Sequence, residues 1–143
     1  MMMRYKSVAV TTLLVLSSYA GEAKVLKNHI GTCQVTIPED WVIGKFVGAT
    51  SADGKTSVVV SAPTAQDSFD DLKQTAKSVY PESKVTKSTA TDFWMEGKSQ
   101  NGTPDVYRGI VSAPGSYCIA EAVYKTGHAA QSKAIVATLQ AVK

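Results

Sequence analysis

The fold is decided by the stretch DFWMEGKSQNGTPDVYRGIVSAPGSYCIAEAVYK, residues 92–125. An Asn-Gly pair at residues 101–102 and an Ala-Pro-Gly run at residues 113–115 divide it into three apolar-rich segments. Short apolar segments separated by turn residues are typical of an antiparallel meander. The stretch also contains Cys118, one of two cysteines in the chain. We therefore predict that residues 92–125 form the middle of a sheet and that the rest of the chain covers it.

The turn positions predict a register for this meander. A two-residue turn at residues 101–102 places Met95 opposite Arg108, and the second turn places Arg108 opposite Ala120. Because opposite residues share a face, one face is expected to carry Phe93, Met95, Val106, Arg108, Ile110, Cys118, Ala120 and Ala122. The other is expected to carry Trp94, Glu96, Tyr107, Gly109, Val111, Tyr117, Ile119, Glu121 and Val123. Both faces are too apolar for solvent, which favours a helix on each.

Strands are predicted upstream of the meander. Residues 32–37 alternate between apolar and polar side chains, as a half-buried strand does. An Asp-Gly turn at residues 53–54 leads into TSVVVSA at residues 56–62, a β-branched run that indicates a central strand. Residues 24–31 are interpreted as the N-terminal lead of the mature chain.

Two helices are predicted around the meander. Residues 68–80 have an N-capping Ser68 and an apolar stripe at helical spacing. Residues 128–142 carry a second such stripe, and the polar residues 84–91 suit an edge strand. The order of strands, helix, strands and helix predicts an α+β fold, in which helices flank both faces of an antiparallel sheet.

The N-terminal residues 1–20 are typical of a secretory signal peptide. Basic residues precede the uncharged apolar run at residues 7–16, and the small residues Ser18 and Ala20 stand before the expected cleavage point. An alternative cleavage point follows residue 23. The apolar run is short for a membrane span, so we expect a periplasmic or secreted protein without stable membrane insertion, although a signal anchor remains an alternative.

The remaining residues, 24–143, have the size of a single domain. The whole chain has 15 basic and 12 acidic residues. Loss of Arg4 and Lys6 with the signal peptide would leave 13 basic against 12 acidic residues, a net charge of +1. So small a charge argues against nucleic acid or an anionic membrane as the partner.

Cys33 and Cys118 are expected to form a disulfide, because export would place them in an oxidising compartment. Closing so long a loop would stabilise the fold by roughly 4 kcal/mol on the chain-entropy model. Two buried free thiols are the alternative. Neither cysteine has a histidine or a second cysteine at ligand spacing, so no metal site is predicted, and no cofactor is expected.

The chain resembles the PsbP-like superfamily. The phrase IPEDW at residues 37–41, the SVVVSA strand, the helix DSFDDLKQTAKSVYP and the terminal helix AAQSKAIVATLQAVK carry the resemblance, in that order. The superfamily includes photosystem II extrinsic subunits, Ran-binding Mog proteins and bacterial periplasmic DcrB-type proteins. The resemblance implies an α–β–α sandwich and a mostly non-enzymatic protein that acts by binding. It transfers no functional residue to this chain.

No catalytic residues are predicted, since the chain has no G-x-S-x-G motif and nothing pairs either histidine with a nucleophile. The predicted register instead brings Glu96, Tyr107 and Glu121 side by side, bordered by Trp94. Two neighbouring carboxylates and a phenol could bind a basic partner, hold a cation or perform acid–base chemistry. They could equally form only a polar rim. We take Trp94, Glu96, Tyr107 and Glu121 as candidate partner-binding residues.

Three functional hypotheses follow. The first is an exported, non-enzymatic PsbP-like accessory protein that acts by contact with an unidentified protein partner in the bacterial periplasm. The second is an immunity protein that neutralises a secreted toxin of the type VI kind. The third is a small periplasmic enzyme or ligand-binding domain that uses Glu96, Tyr107 and Glu121.

Overall fold

The computed structural model describes residues 22–45, 48–63 and 68–143. The predicted signal peptide, residues 1–20, lies outside this part of the chain. No helix among the described residues is long and apolar enough to cross a membrane.

The described residues form strands and two helices in the predicted alternation. The strands are β1 (Ala23–Lys27), β2 (Cys33–Pro38), β3 (Val42–Ile43), β4 (Gly48–Thr50), β5 (Thr56–Ser61), β6 (Lys84–Ser88), β7 (Asp92–Lys98), β8 (Pro104–Ala113), β9 (Ser116–Tyr124) and β10 (Gln140–Ala141). The helices are α1 (Phe69–Val79) and α2 (Ala129–Val136). The fold is thus mostly antiparallel sheet with two helices.

The strands form two sheets. The larger has seven strands in the order β3-β4-β5-β9-β8-β7-β6, and the smaller has the order β1-β2-β10. All the pairings are antiparallel. The meander of β7, β8 and β9 lies inside the larger sheet, as predicted, with β5 also in the interior and β6 at an edge.

The predicted register of the meander is correct for one hairpin and wrong for the other. Arg108 pairs with Ala120, as expected. In the first hairpin, however, Met95 pairs with Tyr107, one residue away from the predicted partner. The connection has three residues because the Ser99 amide donates to the Thr103 carbonyl at 2.8 Å. Gly102, the last residue of this loop, has a positive φ, as the last residue of a three-residue hairpin connection does. The predicted two-residue turn is one residue shorter.

This shift by one residue exchanges the two faces of β7. Trp94 packs against the core cluster that contains Val106, Cys118, Ala120 and Ala122; we name this side of the larger sheet the disulfide face. Phe93 and Met95 join the cluster that contains Tyr107 and Tyr117; we name this side the tyrosine face. The face assignments predicted for Phe93, Trp94, Met95 and Glu96 are therefore wrong.

Helix α1 contributes to the core of the tyrosine face. Ser68 caps it by accepting a hydrogen bond from the Asp71 amide at 3.1 Å. Its buried residues, Phe69, Leu72 and Ala76, belong to the core cluster of that face. A Cβ atom on Gly109 would lie 2.8 Å from the Leu72 side chain, so this glycine allows the close approach of helix and strand.

Helix α2 contributes Ile135 and Val136 to the core of the disulfide face, beside the small Ala120. It ends at Val136, whereas we predicted a helix over residues 128–142. The Thr138 hydroxyl accepts a hydrogen bond from the Thr36 amide at 2.7 Å, and the chain then forms β10 along β2. Pairing with an open strand edge replaced the last helical turns.

The predicted disulfide between Cys33 and Cys118 is confirmed, with 5.7 Å between the Cα atoms. It joins β2 of the smaller sheet to β9 of the larger sheet. The lead expected at residues 24–31 is instead partly strand, because β1 pairs with β2 and buries Leu26. Val25 and Leu26 are adjacent and do not alternate with polar residues as in a half-buried strand, so β1 had little signal in the sequence.

Candidate functional site

The four candidate partner-binding residues do not form one patch. Tyr107 and Glu121 are cross-strand partners on the tyrosine face. Trp94 and Glu96 lie on the disulfide face because of the register shift in β7. The predicted cluster of Glu96, Tyr107 and Glu121 is therefore not formed, and the acid–base site that required it is wrong as stated.

The residues on the disulfide face have structural partners. Arg108 donates two hydrogen bonds to the Asp92 carboxylate, at 2.9 and 3.2 Å. It also donates to the carbonyls of Val136 and Ala137 at the end of α2, at 3.3 and 2.9 Å. Its guanidinium lies 5.0 Å from the centre of the Trp94 ring. Arg108 thus joins β7, β8 and α2.

Glu96 also has a partner on this face. Its carboxylate accepts a salt bridge from Lys133 of α2 at 2.7 Å. The Lys133 side chain is about half exposed, so the pair is of the surface kind that contributes little stability. Glu96 therefore helps to position α2 on the sheet.

The tyrosine face carries a different polar group at the end of α1. The Tyr80 hydroxyl donates a hydrogen bond to the Glu121 carboxylate at 2.7 Å. The rings of Tyr80 and Tyr107 lie 5.7 Å apart, between their centres, in a tilted arrangement. Glu121 is thereby held against two aromatic rings. We name Tyr80, Asp105, Tyr107 and Glu121 the carboxyl–tyrosine cluster.

Asp105 is the most unusual member of this cluster. It is 1% exposed, and neither of its carboxylate oxygens has a hydrogen-bond partner. It shares the face of Tyr107, two residues along β8, and lies diagonal to Glu121 on β9. Burial, and then the neighbouring Glu121 carboxylate, raise the pKa of Asp105 to about 8. One proton is therefore retained by the carboxyl pair at neutral pH.

The burial of Asp105 follows from a glycine. Gly97 on β7 pairs with Asp105, and the turn after α1 passes directly over it. A Cβ atom on Gly97 would lie 2.5 Å from the Ser83 Cα. The turn is anchored there because the Ser83 hydroxyl donates to the Lys98 carbonyl at 3.2 Å. Because Gly97 has no side chain, the turn after α1 can pack over Asp105.

The cluster has an excess of negative charge. Burial, and then the Glu121 carboxylate, raise the pKa of Tyr80 and of Tyr107 well above the usual range for tyrosine. The ion pairs found in the described part of the chain use Asp92 and Glu96 as their acids, and none includes Asp105 or Glu121. Each of these shifts has the sign that an uncompensated carboxylate produces.

A cavity of about 200 Å³ opens beside the cluster. Its polar lining includes Tyr80, Tyr107 and Glu121, and its apolar lining includes Val59, Val79 and Ile119. The cavity thus has an aliphatic wall and an anionic end. In the described ranges, no three histidine, cysteine, aspartate or glutamate side chains are grouped to hold a metal ion.

The sequence reasoning missed Asp105 and Tyr80. Asp105 follows a proline at the start of a strand, and such polar residues ordinarily belong to a turn. Its spacing of two from Tyr107 was the available signal, since alternate residues of a strand share a face. Tyr80 stands just past a helix end, and nothing in its local sequence indicates a contact with β9.

These features define an antiparallel α+β domain of PsbP-like fold. The solution structure of cyanobacterial PsbP (CyanoP) from Synechocystis sp. PCC 6803 is similar, with a TM-score of 0.54 over 84% of this chain and 92% of that chain. The two sequences are 9% identical, so the likeness concerns the fold alone. No family model and no curated protein matches the sequence.

Proposed function

We propose that this chain is an exported, non-enzymatic accessory protein that acts by protein–protein contact in the bacterial periplasm. The observation that carries the proposal is the open cavity on the tyrosine face, where Glu121 lies beside apolar Val59. In this proposal the domain is an α–β–α sandwich with a helix over each face. The cavity lies at the border of α1, where the sheet extends beyond its helix.

Exposed apolar surface next to the cavity supports a binding role. Val59 on β5 is 46% exposed, and Val42 on the edge strand β3 is 65% exposed. The two side chains border one shallow depression on the same side of the sheet. Apolar contacts around a few placed polar groups are the usual composition of the centre of a protein interface. The cavity and these valines together form the proposed contact surface.

The disulfide supports the extracytoplasmic location. Structural disulfides persist in oxidising compartments such as the periplasm and are rare in the cytosol. The Cys33–Cys118 bridge is buried at both ends. Together with the signal peptide predicted at residues 1–20, it favours a protein that works after export.

Site-specific photo-crosslinking in cells tests the proposal. A photoreactive phenylalanine analogue replaces Val59 at the cavity or, as a matched control, Val85 on β6, which is similarly exposed at 42%. We expect a discrete adduct with one protein from position 59 and none from position 85. Equal adducts, or no adduct from either position, would contradict the proposal. If the adduct contains a secreted toxin, the protein is an immunity protein.

A further inference from the structure

We propose that the cavity receives a lysine side chain of the partner protein, with its ammonium group held at Glu121 beside the rings of Tyr80 and Tyr107. This inference rests on the proposed function, because the partner supplies the lysine. It adds the chemical identity of the group that the surface recognises.

Charge is the first argument. Glu121 faces the cavity, accepts a hydrogen bond from the neutral phenol of Tyr80, and has no ion pair in the described structure. Asp105 behind it is 1% exposed and has no partner on either carboxylate oxygen. An ionised carboxyl group at such a site is costly, and a positive charge beside Glu121 would offset that cost. The fold therefore leaves a place for a cation that it does not itself supply.

The shape of the cavity is the second argument. The rings of Tyr80 and Tyr107 lie 5.7 Å apart, and an ammonium group near aromatic ring faces gains cation–π attraction. Val59, Val79 and Ile119 line the rest of the cavity. A lysine carries four methylene groups that can pack on such a wall while the charged end reaches the anionic end.

The hydrogen bonding of Glu121 favours lysine over arginine. Tyr80 already donates to Oε1 of Glu121, which leaves Oε2 without that contact. An arginine gains most when two parallel N–H donors meet both carboxylate oxygens. A lysine ammonium is a compact charge that does not need both oxygens. We therefore expect the site to discriminate between the two basic side chains.

The affinity of the cavity for lysine should depend on pH. The titratable groups that face Asp105 are Glu121 on β9, Tyr107 on β8 and Tyr80 after α1. Deprotonation of Asp105 as pH passes through about 8 adds one negative charge to the cluster. Affinity for a cation should therefore rise as pH passes through about 8, the pKa of Asp105.

The test is an NMR titration of isotope-labelled protein, purified after expression of the full chain. The probe is N-acetyl-lysine methylamide, and its matched control is N-acetyl-norleucine methylamide, which has the same stem without the ammonium. We expect the lysine probe to shift the resonances of Tyr80, Tyr107 and Glu121 and to bind at least about tenfold tighter than either the norleucine control or the arginine analogue. Equal responses to lysine and norleucine would overturn the inference.

Two variants locate the binding. Glu121→Gln keeps the shape of the side chain but removes its charge, and should weaken the lysine probe at least about tenfold. Glu96→Gln makes the same change on the disulfide face and should leave the affinity unchanged. If Glu121→Gln does not fold, the wild-type protein still decides: binding at pH 9 should be at least about fivefold tighter than at pH 6. A pH-independent affinity would overturn the inference.

The outcome is separable from that of the proposed function. If position 59 crosslinks to a partner but the lysine probe does not bind, the protein binds a partner in another way and this inference is wrong. If the probe binds at the cluster, the inference stands on its own observation. If neither result is obtained, both proposals are wrong.

Discussion

Asp92 and Asp105 are the same residue type on neighbouring strands, yet the two faces of the sheet treat them in opposite ways. On the disulfide face, burial opposes ionisation of Asp92, but hydrogen bonds from Arg108 and Lys87 outweigh it and lower the pKa of the carboxyl group. On the tyrosine face, burial and Glu121 raise the pKa of Asp105 to about 8. In the described part of the chain, the fold supplies basic partners to the Asp92 carboxylate and none to the Asp105 carboxyl group.

The difference separates two roles for charge in this domain. The paired charges of Asp92, Glu96 and their partners tie α2 to the sheet. In the carboxyl–tyrosine cluster, no basic side chain of the described residues pairs with Asp105, although that group is buried. A polar group that costs stability and has no partner within the fold is a candidate for binding.

The largest expected effect is on the disulfide face. The double variant Cys33→Ala, Cys118→Ala removes a bridge that closes 85 residues. We expect the free energy of unfolding to fall by about 3–5 kcal/mol, because the unfolded chain regains conformational entropy. Urea denaturation of the variant and of the wild type measures this loss. A loss below about 1 kcal/mol would show that the two sheets do not depend on the bridge.

The next effect concerns Arg108. Arg108→Met leaves the Asp92 carboxylate with Lys87 alone and leaves the last carbonyls of α2 without their donor. We expect a loss of about 2–3 kcal/mol in the free energy of unfolding, since one side of a largely buried pair is removed. The matched control is Lys87→Met, whose side chain is 55% exposed and should cost less than about 0.5 kcal/mol. Similar losses in both variants would contradict this ranking.

On the tyrosine face, removal of a carboxyl group should raise the free energy of unfolding rather than lower it. Between pH 4 and pH 8 the folded protein keeps a proton on Asp105 that the unfolded chain has lost, so the stability attributable to this group falls as pH rises. Asp105→Asn should therefore stabilise the protein at both pH values, and by up to about 4 kcal/mol more at pH 8 than at pH 5, because each pH unit in this window changes the stability by about 1.4 kcal/mol. Urea denaturation across this pH range checks it. Asp92→Asn is the control and should destabilise at both pH values; destabilisation by both variants would remove the contrast.

The smallest effect tests the corrected register. Because Glu96 pairs with Lys133, a double-mutant cycle with Glu96→Ala and Lys133→Ala should give a coupling energy of about 0.2–0.5 kcal/mol. The same cycle between Glu96 and Glu121, which lie on opposite faces, should give none. Coupling only in the second cycle would restore the predicted register and contradict the observed one.

The sequence predicted the main elements because their signals were local. Ser68 and the apolar stripe of α1 specify that helix without tertiary contacts, and two cysteines in a chain that is predicted to be exported allow one pairing. The hairpin before Tyr117 was placed correctly by its Ala-Pro-Gly turn. These features depend on residues that are neighbours in the chain.

The candidate site was only half predictable for the same reason. An Asn-Gly pair serves both two-residue and three-residue connections, and one extra residue exchanges the faces of β7. The three-residue connection places Glu96 on the face opposite Tyr107. The sequence did not indicate which residues would lie beside Tyr107 instead. Asp105 and Tyr80 reach Glu121 through tertiary packing over Gly97, which no local pattern encodes. The end of α2 was lost to pairing with β2, another long-range contact.

The most direct test of the contrast between the faces is the pKa of Asp105. Its side-chain carboxyl carbon can be followed by ¹³C NMR as pH is varied, with Asp92 observed in the same spectra. We predict a midpoint at about 8 for Asp105 and one below the ordinary aspartate value for Asp92. A midpoint for Asp105 at about 4, the value of a solvated aspartate, would contradict it.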